Sequence, residues 1–350
     1  MIFKRQPARQ RIFSSELRQD PITGDWIIVA PNRAHRPRDF QAGRRIFRFL
    51  PNTCPFCHLE TQEQPILIFS AGKVIKNPAI LPRNWSLAVV PNKFPAVLPQ
   101  SDLKKEKKEF YRITPGAGAH EVVITRNHRK DISCLSLVQI KEVLDAYQMR
   151  ILSLKKEEFA NYIFVFHNYG CRGGASISHP HSQIVALSVA DPDFKKRLDG
   201  AQRYWNKKHQ CVHCRIIEQE KKDNKRIVFE NNRFIAFCPF ASQASFMTRI
   251  YPKKHLSRFE EISSKEKEGL AEALKEILVR QKKVLFSPSY NFFLATSPFD
   301  GEDYSYYHWY FEVRPRFSIK SSFYFNAGIE LLNIRPEEAA ERLRAAGKKH

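Results

Sequence analysis

The sequence contains no apolar run that approaches the ~20 residues needed for a membrane-spanning helix. Its first segment, Met1 to Asp20, is basic and has no apolar block of the kind found in secretory signal peptides. We therefore expect a cytoplasmic protein with no membrane partner. Hydrophobic residues make up 43% of the 350 positions, which excludes intrinsic disorder of the whole chain.

Acidic residues are scarce relative to basic ones, with 36 Asp and Glu against 58 Lys and Arg, a formal net charge of +22. A surface of this sign attracts anions, including nucleic acids, acidic lipid headgroups and phosphorylated metabolites. The basic residues are spread along the chain, and the run at 104–108 is interrupted by Glu106. Net charge alone therefore does not select one of these partners.

The cysteines do not form the pattern of a disulfide framework, because there are seven of them and no secretion signal accompanies them. Four fall into two turns of identical spacing, Cys54-Pro55-Phe56-Cys57 and Cys211-Val212-His213-Cys214. In a reducing compartment, two such CxxC turns predict metal ligands. Neither turn lies in a thioredoxin-like βαβ context, so a redox role is less favoured.

Strand and helix patterns repeat in the two halves of the chain. Apolar residues between Leu137 and Leu154 recur at steps of three and four, which predicts a helix whose capping box is formed by Ser136 and Gln139. The second half repeats this pattern with a capping box at Ser263 and Glu266. The predicted strands are 119–125, 162–167 and 179–187, and then 226–238, 246–251, 291–296 and 308–313.

This repeated order indicates an internal duplication at low sequence identity. The predicted fold is α+β, with two duplicated halves built on mostly antiparallel sheets and one long helix each. The polar, charged segment 191–209 is predicted to be the linker between them.

Each CxxC pair needs two further ligands, because structural zinc takes four, usually Cys and His. In the first half His120 lies in the strand AHEVVIT and His179 begins the strand HPHSQ. His255 and His308 occupy the corresponding places in the second half. Two zinc sites are therefore predicted, one from Cys54, Cys57, His120 and His179, the other from Cys211, Cys214, His255 and His308.

The stretch HPHSQ directly follows a loop rich in Gly and small residues, NYGCRGGASIS at 168–178. On a strand, His179, His181 and Gln183 point to one face. Backbone N–H groups of such a loop can hold phosphate oxygens, and an adjacent imidazole can attack phosphorus. The aligned stretch HWYFE in the second half has Tyr310 in place of His181, so His181 is predicted to be the one catalytic His of the chain.

These motifs resemble the galactose-1-phosphate uridylyltransferase family of the histidine-triad superfamily, including its nucleotide-sugar phosphorylase branch. The resemblance covers most of the chain and keeps the family's order of motifs, RQDPITGDWIIVAPNRAHRP, CPFC, VVPNKFPAV, HEVVIT, NYGCRGGASISHPHSQ and GIELLNIRPEEAAERLR. It implies two histidine-triad-like domains, residues 1–195 and 205–350, and two structural Zn²⁺ ions per chain.

The resemblance also implies a double displacement in carbohydrate metabolism. His181 would attack the α-phosphorus of a nucleotide sugar and release a hexose 1-phosphate, and a second hexose 1-phosphate would then take the nucleotidyl group. Gln183 would hydrogen-bond a phosphoryl oxygen, and Ser176 would help to hold the phosphates. The other implied substrate contacts are Arg33, Arg36, Asn92, Phe94, Asn168 and Glu330. The implied partners are a nucleotide sugar, a sugar phosphate and a second copy of the chain in a homodimer.

Three alternatives remain at this point. One is a catalytically lapsed relative that serves as a nucleotide sensor, against which the intact His181 and Gln183 argue. A nucleotide-sugar phosphorylase of the ADP-glucose type, or a dinucleotide phosphorylase, would use the same intermediate with inorganic phosphate as acceptor. The second CxxC pair favours that branch, and the Gln that binds sugar hydroxyls in the uridylyltransferases has no evident match.

A zinc-stabilised nucleic-acid-binding protein is compatible with the charge. The basic residues form no clear stripe with interleaved aromatics, so nucleic acid is not an expected partner.

Overall fold

A computed structural model describes residues 15–31, 50–100, 106–108, 110–316 and 328–347. The strands are β1 (Glu16–Gln19), β2 (Trp26–Val29), β3 (Leu67–Ser70), β4 (Lys73–Lys76), β5 (Trp85–Pro91), β6 (Glu106–Lys108), β7 (Tyr111–Ile113), β8 (Gly118–Thr125), β9 (Tyr162–Tyr169), β10 (His181–Leu187), β11 (Ile227–Glu230), β12 (Phe234–Phe237), β13 (Thr248–Pro252), β14 (Ser289–Ala295), β15 (Tyr310–Arg316) and β16 (Glu330–Leu332). The helices are α1 (Leu137–Leu154), α2 (Pro192–Lys208), α3 (Val212–Asp223), α4 (Ser264–Val284) and α5 (Pro336–Gly347).

Eleven strands form one continuous sheet in the order β11-β12-β13-β15-β14-β9-β10-β8-β5-β3-β4. All of its neighbouring strands are antiparallel. The predicted α+β class with mostly antiparallel strands is therefore confirmed. In a second, three-stranded sheet, β16 pairs in parallel with β2 and joins the C-terminal segment to the start of the chain.

The strand order makes the internal duplication visible. From the centre outward, β9, β10, β8 and β5 on one side correspond to β14, β15, β13 and β12 on the other. The two halves meet where β9 pairs with β14, with Asn168 opposite Asn291 and Phe166 opposite Phe293. One sheet therefore runs through both halves, and the domain limits expected from the sequence remain a prediction.

Helices α1 and α4 cover one face of the sheet and share a single apolar core across both halves. Both predicted capping boxes form. The Ser136 hydroxyl accepts from the Gln139 backbone N–H while Gln139 accepts from the Ser136 N–H, and Ser263 and Glu266 do the same at α4. These contacts satisfy backbone donors that a helix start otherwise leaves unpaired.

The segment 191–209, which is predicted to link the two halves, is helical. It forms α2, with Asp191 as N-cap and His209 in a left-handed conformation at the C-terminal end. Phe194, Leu198 and Ala201 are buried in a second apolar cluster on the face of the sheet opposite α1. These residues are spaced four and three positions apart, as on one face of a helix. Burial of that apolar face favours the helix although the surrounding residues are mostly charged.

The face opposite α1 and α4 carries the residues predicted to do chemistry. A third cluster there packs the first CxxC turn, through Cys54 and Phe56, against Val122 and Ile124 of β8. In the described ranges, no helix is both long enough and apolar enough to cross a bilayer.

Candidate active site and metal clusters

The first candidate metal cluster consists of Cys54, Cys57, His128 and His179, whose potential ligand atoms all lie within 4.8 Å of one another. His179 Nδ1 lies 3.6 Å from Cys54 Sγ and 3.5 Å from Cys57 Sγ. His128 Nδ1 lies 3.2 Å from Cys57 Sγ. Two thiols and two imidazoles at these separations match a tetrahedral zinc site, in which Zn–S is about 2.3 Å and Zn–N about 2.0 Å.

The surroundings of the cluster also fit a cation. His179 Nε2 donates to the carbonyl oxygen of Thr125 at 2.6 Å, which leaves the Nδ1 lone pair toward the sulfurs. Burial lowers the pKa of His179 to about 4, so the ring is neutral, as a metal ligand must be. Burial and the adjacent Cys54 raise the pKa of the Cys57 thiol to about 11, and a bound cation would offset that cost of forming the thiolate.

The prediction that His120 completes this cluster is wrong, and His128 takes its place. Strands β8 and β10 are antiparallel, with His120 opposite Val185 and Ile124 opposite His181. His120 therefore lies level with a residue six positions beyond His179, roughly 20 Å along the strand. His128, just past the end of β8, lies beside His179 instead.

Comparing the two halves could have identified His128. It lies three residues after Thr125, the last residue of β8. His255 likewise lies three residues after Pro252, the last residue of the corresponding strand β13. The ligand in each half is therefore the His that follows the strand.

The second cluster brings together all four residues predicted for it, Cys211, Cys214, His255 and His308. Cys214 Sγ lies 3.3 Å from His255 Nδ1 and 3.5 Å from His308 Nδ1. His255 Nε2 donates to the carbonyl oxygen of Ser305 at 2.8 Å, which directs Nδ1 toward the thiols. This cluster borders an open groove, and His255 is exposed.

His181 is the first residue of β10 and is buried, with 6% of its surface exposed. Its Nδ1 lies 2.8 Å from the carbonyl oxygen of His179, so Nδ1 carries the proton and Nε2 keeps a free lone pair. The ring of Phe56, from inside the first CxxC turn, contacts it at a centroid distance of 4.9 Å. Burial lowers the pKa of His181, which favours the neutral imidazole.

Gln183 lies two residues further on the same face of β10, and His120 orients it. The Ala96 N–H donates to His120 Nδ1 at 3.1 Å, so Nε2 is the ring nitrogen that bears a proton. His120 Nε2 then donates to Gln183 Oε1 at 2.7 Å, and the Gln183 amide nitrogen faces away as a donor. Asn92 lies beside this ring, with its amide nitrogen 3.0 Å from His120 Nε2. Both atoms are donors in this arrangement, so the pair is a contact and not a hydrogen bond.

Asn168 and Glu330 lie together on the wall of a cavity of about 610 Å³. Phe166, also on its wall, is opposite Gln183 in the β9–β10 pairing, and directly opposed residues point to the same face. The cavity therefore begins one strand away from His181, on its side of the sheet. Its charged wall residues are Asp25, Asp191, Asp193, Lys196, Arg197, Arg314, Arg316 and Glu330.

The structure does not place every residue predicted to contact the substrate beside His181 or in the cavity wall. Ser176 is exposed in the loop that precedes His181. Phe94 is 84% exposed, although its N–H donates to Asn92 Oδ1 at 2.9 Å. Arg33 and Arg36 lie outside the described residues.

In the second half, a tyrosine takes the position corresponding to His181, and buried charged residues lie beside it. Tyr310 begins β15 as His181 begins β10, and its hydroxyl accepts from Arg197 Nη1 at 2.9 Å. Glu312, at the position of Gln183, accepts from Arg249 Nε at 2.7 Å and also from Arg314. This half has no imidazole at the place of the predicted nucleophile.

Two family models cover almost the whole sequence. The N-terminal domain of galactose-1-phosphate uridyl transferase matches residues 4–191, and its C-terminal domain matches residues 197–350. The chain belongs to this family. Members of the galactose-1-phosphate uridyl transferase family act on sugar phosphates as nucleotidyltransferases or phosphorylases, and the chain is accordingly an enzyme of nucleotidyl transfer.

Individual relatives fall into both activity classes. ADP-glucose phosphorylase of Arabidopsis thaliana is 34% identical over 95% of this chain and 93% of its own length. Galactose-1-phosphate uridylyltransferase of Thermotoga maritima is 28% identical over 94% of this chain and 98% of its own length. A crystal structure of an A. thaliana ADP-glucose phosphorylase with bound ADP-glucose has a TM-score of 0.78 at 31% identity, covering 95% of this chain and 99% of the other.

Proposed function

We propose that the protein transfers a nucleoside monophosphate from a nucleotide sugar to a hexose 1-phosphate through a nucleotidyl-His181 intermediate. One observation carries this proposal. The imidazole of His181 is held by the His179 carbonyl at Nδ1, so Nε2 is the nitrogen that remains to react. A neutral imidazole is a competent nucleophile at neutral pH without a separate general base.

In the first step, His181 Nε2 forms a bond to the α-phosphorus. The bond between that phosphorus and the oxygen bridging it to the sugar phosphate breaks, and hexose 1-phosphate leaves with the electron pair. In the second step, a phosphate oxygen of the acceptor forms the new bond to phosphorus. The P–N bond breaks, and the imidazole returns to its neutral state.

The neighbouring residues support this chemistry by the hydrogen bonds they offer. Because His120 occupies the Gln183 carbonyl oxygen, the Gln183 amide nitrogen is the end that can donate to a phosphoryl oxygen. The loop N–H groups and Ser176 would hold the other phosphate oxygens. Asn92 and Phe94 would contact the nucleoside, and Arg33 and Arg36 the phosphates.

The cavity beside Gln183 supports a sugar as part of the donor. Its volume of about 610 Å³ lies within the range of small-molecule sites. In the proposal, Glu330 and Asn168 bind the hexose there, and the two clusters hold one Zn²⁺ each. The ions would serve structure, fixing the segments on either side of His181 and the matching segments of the second half.

A second candidate is a phosphorylase that releases ADP from ADP-glucose with inorganic phosphate as acceptor. It is favoured by the Cys₂His₂ composition of the second cluster and by the 34% identity to the plant ADP-glucose phosphorylase. The two candidates share the first step and differ only in the acceptor and the base.

An exchange experiment tests the shared step. Enzyme is incubated with UDP-glucose or ADP-glucose and isotopically labelled glucose 1-phosphate, with no second acceptor present. A covalent intermediate predicts that label enters the nucleotide sugar, because the first step alone is reversible. A nucleotide sugar consumed with acceptor but showing no exchange would contradict the two-step mechanism. Adding galactose 1-phosphate or inorganic phosphate in separate reactions then assigns the acceptor.

A further inference from the structure

We propose that Asn291, in the second half of the chain, is a positioning residue that fixes the direction of the Asn168 side-chain amide toward the substrate. This inference rests on the proposed function, in which Asn168 contacts the substrate. It assigns a role in the first half's site to the strand β14, which carries none of the residues predicted from the sequence.

The two residues are directly opposite each other where the halves of the sheet meet. The Asn291 amide nitrogen donates to Asn168 Oδ1 at 2.7 Å and to the Gly173 carbonyl oxygen at 2.6 Å. Arg316 Nε donates to Asn291 Oδ1 at 2.5 Å. One side chain thus joins β9, the glycine-rich loop and the end of β15.

The partners of Asn291 determine which way its amide faces. A guanidinium can only donate hydrogen bonds, and a backbone carbonyl oxygen can only accept them. Asn291 must therefore turn its oxygen to Arg316 and its nitrogen to Gly173. Asn168 then has to present its oxygen to the same nitrogen, which leaves the Asn168 amide nitrogen as the donor on the other side.

The Asn168 donor lies beside the loop predicted to hold the phosphates. Asn168 is on the cavity wall, and a Cβ built on Gly174 would be 4.0 Å from its amide nitrogen. A preorganised N–H donor in this position stabilises a phosphoryl or hydroxyl oxygen without reorganising during the reaction. The reversed amide would present an acceptor to those oxygens instead.

The loop and β14 are packed so closely that this arrangement is fixed. A Cβ on Gly173 would lie 2.8 Å from the Tyr290 carbonyl oxygen. At Gly170, whose φ is +75°, it would lie 2.3 Å from Ser289 Oγ. Only glycine leaves room for this approach, so the start of β14 forms the rigid support of the loop.

Two substitutions of Asn291 separate orientation from packing. Asn291→Asp has nearly the same shape and still accepts from Arg316, but it cannot donate, so Asn168 must turn its nitrogen toward the new carboxylate. Asn291→Leu removes all three hydrogen bonds and leaves the Asn168 amide free to rotate. We expect the rate of His181 nucleotidylation at subsaturating donor to fall by about tenfold or more in both, as for a lost hydrogen bond to a charged group.

The decisive measurement is whether the substitutions of Asn291 and Asn168 affect the nucleotidylation rate independently. If Asn291 acts through Asn168, the double variant Asn168→Ala with Asn291→Leu is no slower than Asn168→Ala alone. If the rate losses of the single variants multiply in the double variant, or if the Asn291 variants react at the wild-type rate, the inference is overturned and the mechanism is left intact. No nucleotidylation of the wild type by UDP-glucose or ADP-glucose would overturn the proposed function and the inference with it.

Asn231→Leu is the matched control, because Asn231 is also an Asn of the second half that donates to a backbone carbonyl, that of Gly269, at 2.9 Å. It is absent from the cavity wall, so its loss should leave nucleotidylation within about twofold of wild type, as a structural change remote from the site. Urea unfolding of each variant reports the structural cost separately. A purely structural role for Asn291 predicts a lower unfolding free energy and rate losses that are independent of Asn168.

Discussion

His181 Nδ1 lies 2.8 Å from the carbonyl oxygen of His179, so a residue of the first metal cluster orients the proposed nucleophile through its backbone. The His179 ring is itself held at both nitrogens, by the Thr125 carbonyl oxygen on one side and the two cysteine sulfurs on the other. Loss of the metal should therefore loosen the strand that carries His181.

Removing a ligand of the first cluster tests this connection. We expect Cys54→Ser to lower the zinc content from about two ions per chain to about one, as the tetrahedral ligand count requires, and to reduce nucleotidylation of His181. Elemental analysis and intact-mass measurement on the same samples give both results. Cys134→Ser is the control, since Cys134 is exposed and belongs to neither cluster. Full labelling with one ion lost would contradict a supporting role for the first cluster.

The two clusters should release metal in a fixed order. Two residues of each cluster are buried, but the other two of the first, Cys57 and His128, are half-buried, whereas His255 of the second is exposed beside an open groove. A chelator should therefore remove the second ion first. Alkylation of the freed thiols, mapped by peptide mass, should modify Cys214 before Cys57. Simultaneous release, or release in the opposite order, would show that exposure does not govern exchange.

His120 and His128 should behave differently when replaced, although both are His residues of the same region. His128→Ala should lose the ion of the first cluster, because it removes a ligand. His120→Ala should keep both ions and slow turnover by about tenfold, since Gln183 loses the hydrogen bond that orients it. Zinc content and steady-state rates of the two variants distinguish these effects. Loss of zinc from His120→Ala would contradict the assignment of His120 to Gln183.

Glu312 should be important for stability rather than for chemistry. Burial opposes its ionisation, but Arg314 and Arg249 overcome that effect and hold the pKa of Glu312 well below its usual range. We expect Glu312→Gln to lower the unfolding free energy at pH 7 by about 3 kcal/mol, because buried guanidiniums lose their counter-charge. Glu338→Gln, which removes an exposed ion pair with Arg342, should cost less than about 1 kcal/mol.

The pH dependence of the difference in unfolding free energy between wild type and Glu312→Gln follows from the lowered pKa of Glu312. A carboxyl whose pKa is lower in the folded state contributes stability above its unfolded pKa, and that contribution is lost as pH falls toward the folded value. The gap in unfolding free energy between wild type and Glu312→Gln should therefore be constant near neutral pH and shrink below about pH 4.5. Urea unfolding at several pH values measures it. A gap that widens in acid would contradict the assigned ion pairs.

Local sequence signals predicted the two long helices and the strands around them, but not all of the contacts between these elements. The periodicity of α1 and the capping boxes at Ser136 and Ser263 depend on residues within a few positions, and the structure has them as predicted. The ligand His128 was missed because its place beside His179 depends on the register of β8 against β10. Register is a relationship between distant segments, which periodicity does not encode.

The cavity was unpredictable for a related reason. Its walls combine Asn168 of β9, Arg314 of β15 and Glu330 of β16. Strand β16 joins the wall by pairing in parallel with β2, about three hundred residues earlier in the chain. The partnership of Asn168 with Asn291 likewise exists only where the halves of the sheet meet.

Intact-mass measurement of the protein after incubation with UDP-glucose or ADP-glucose, quenched at alkaline pH, shows whether His181 becomes nucleotidylated. We expect a mass gain of one nucleoside monophosphate, located on the peptide that contains His181 and absent from folded, zinc-replete His181→Ala. The donor that gives the adduct identifies the base. An adduct that persists in His181→Ala, or turnover of that variant near the wild-type rate, would contradict the assignment of His181 as the nucleophile.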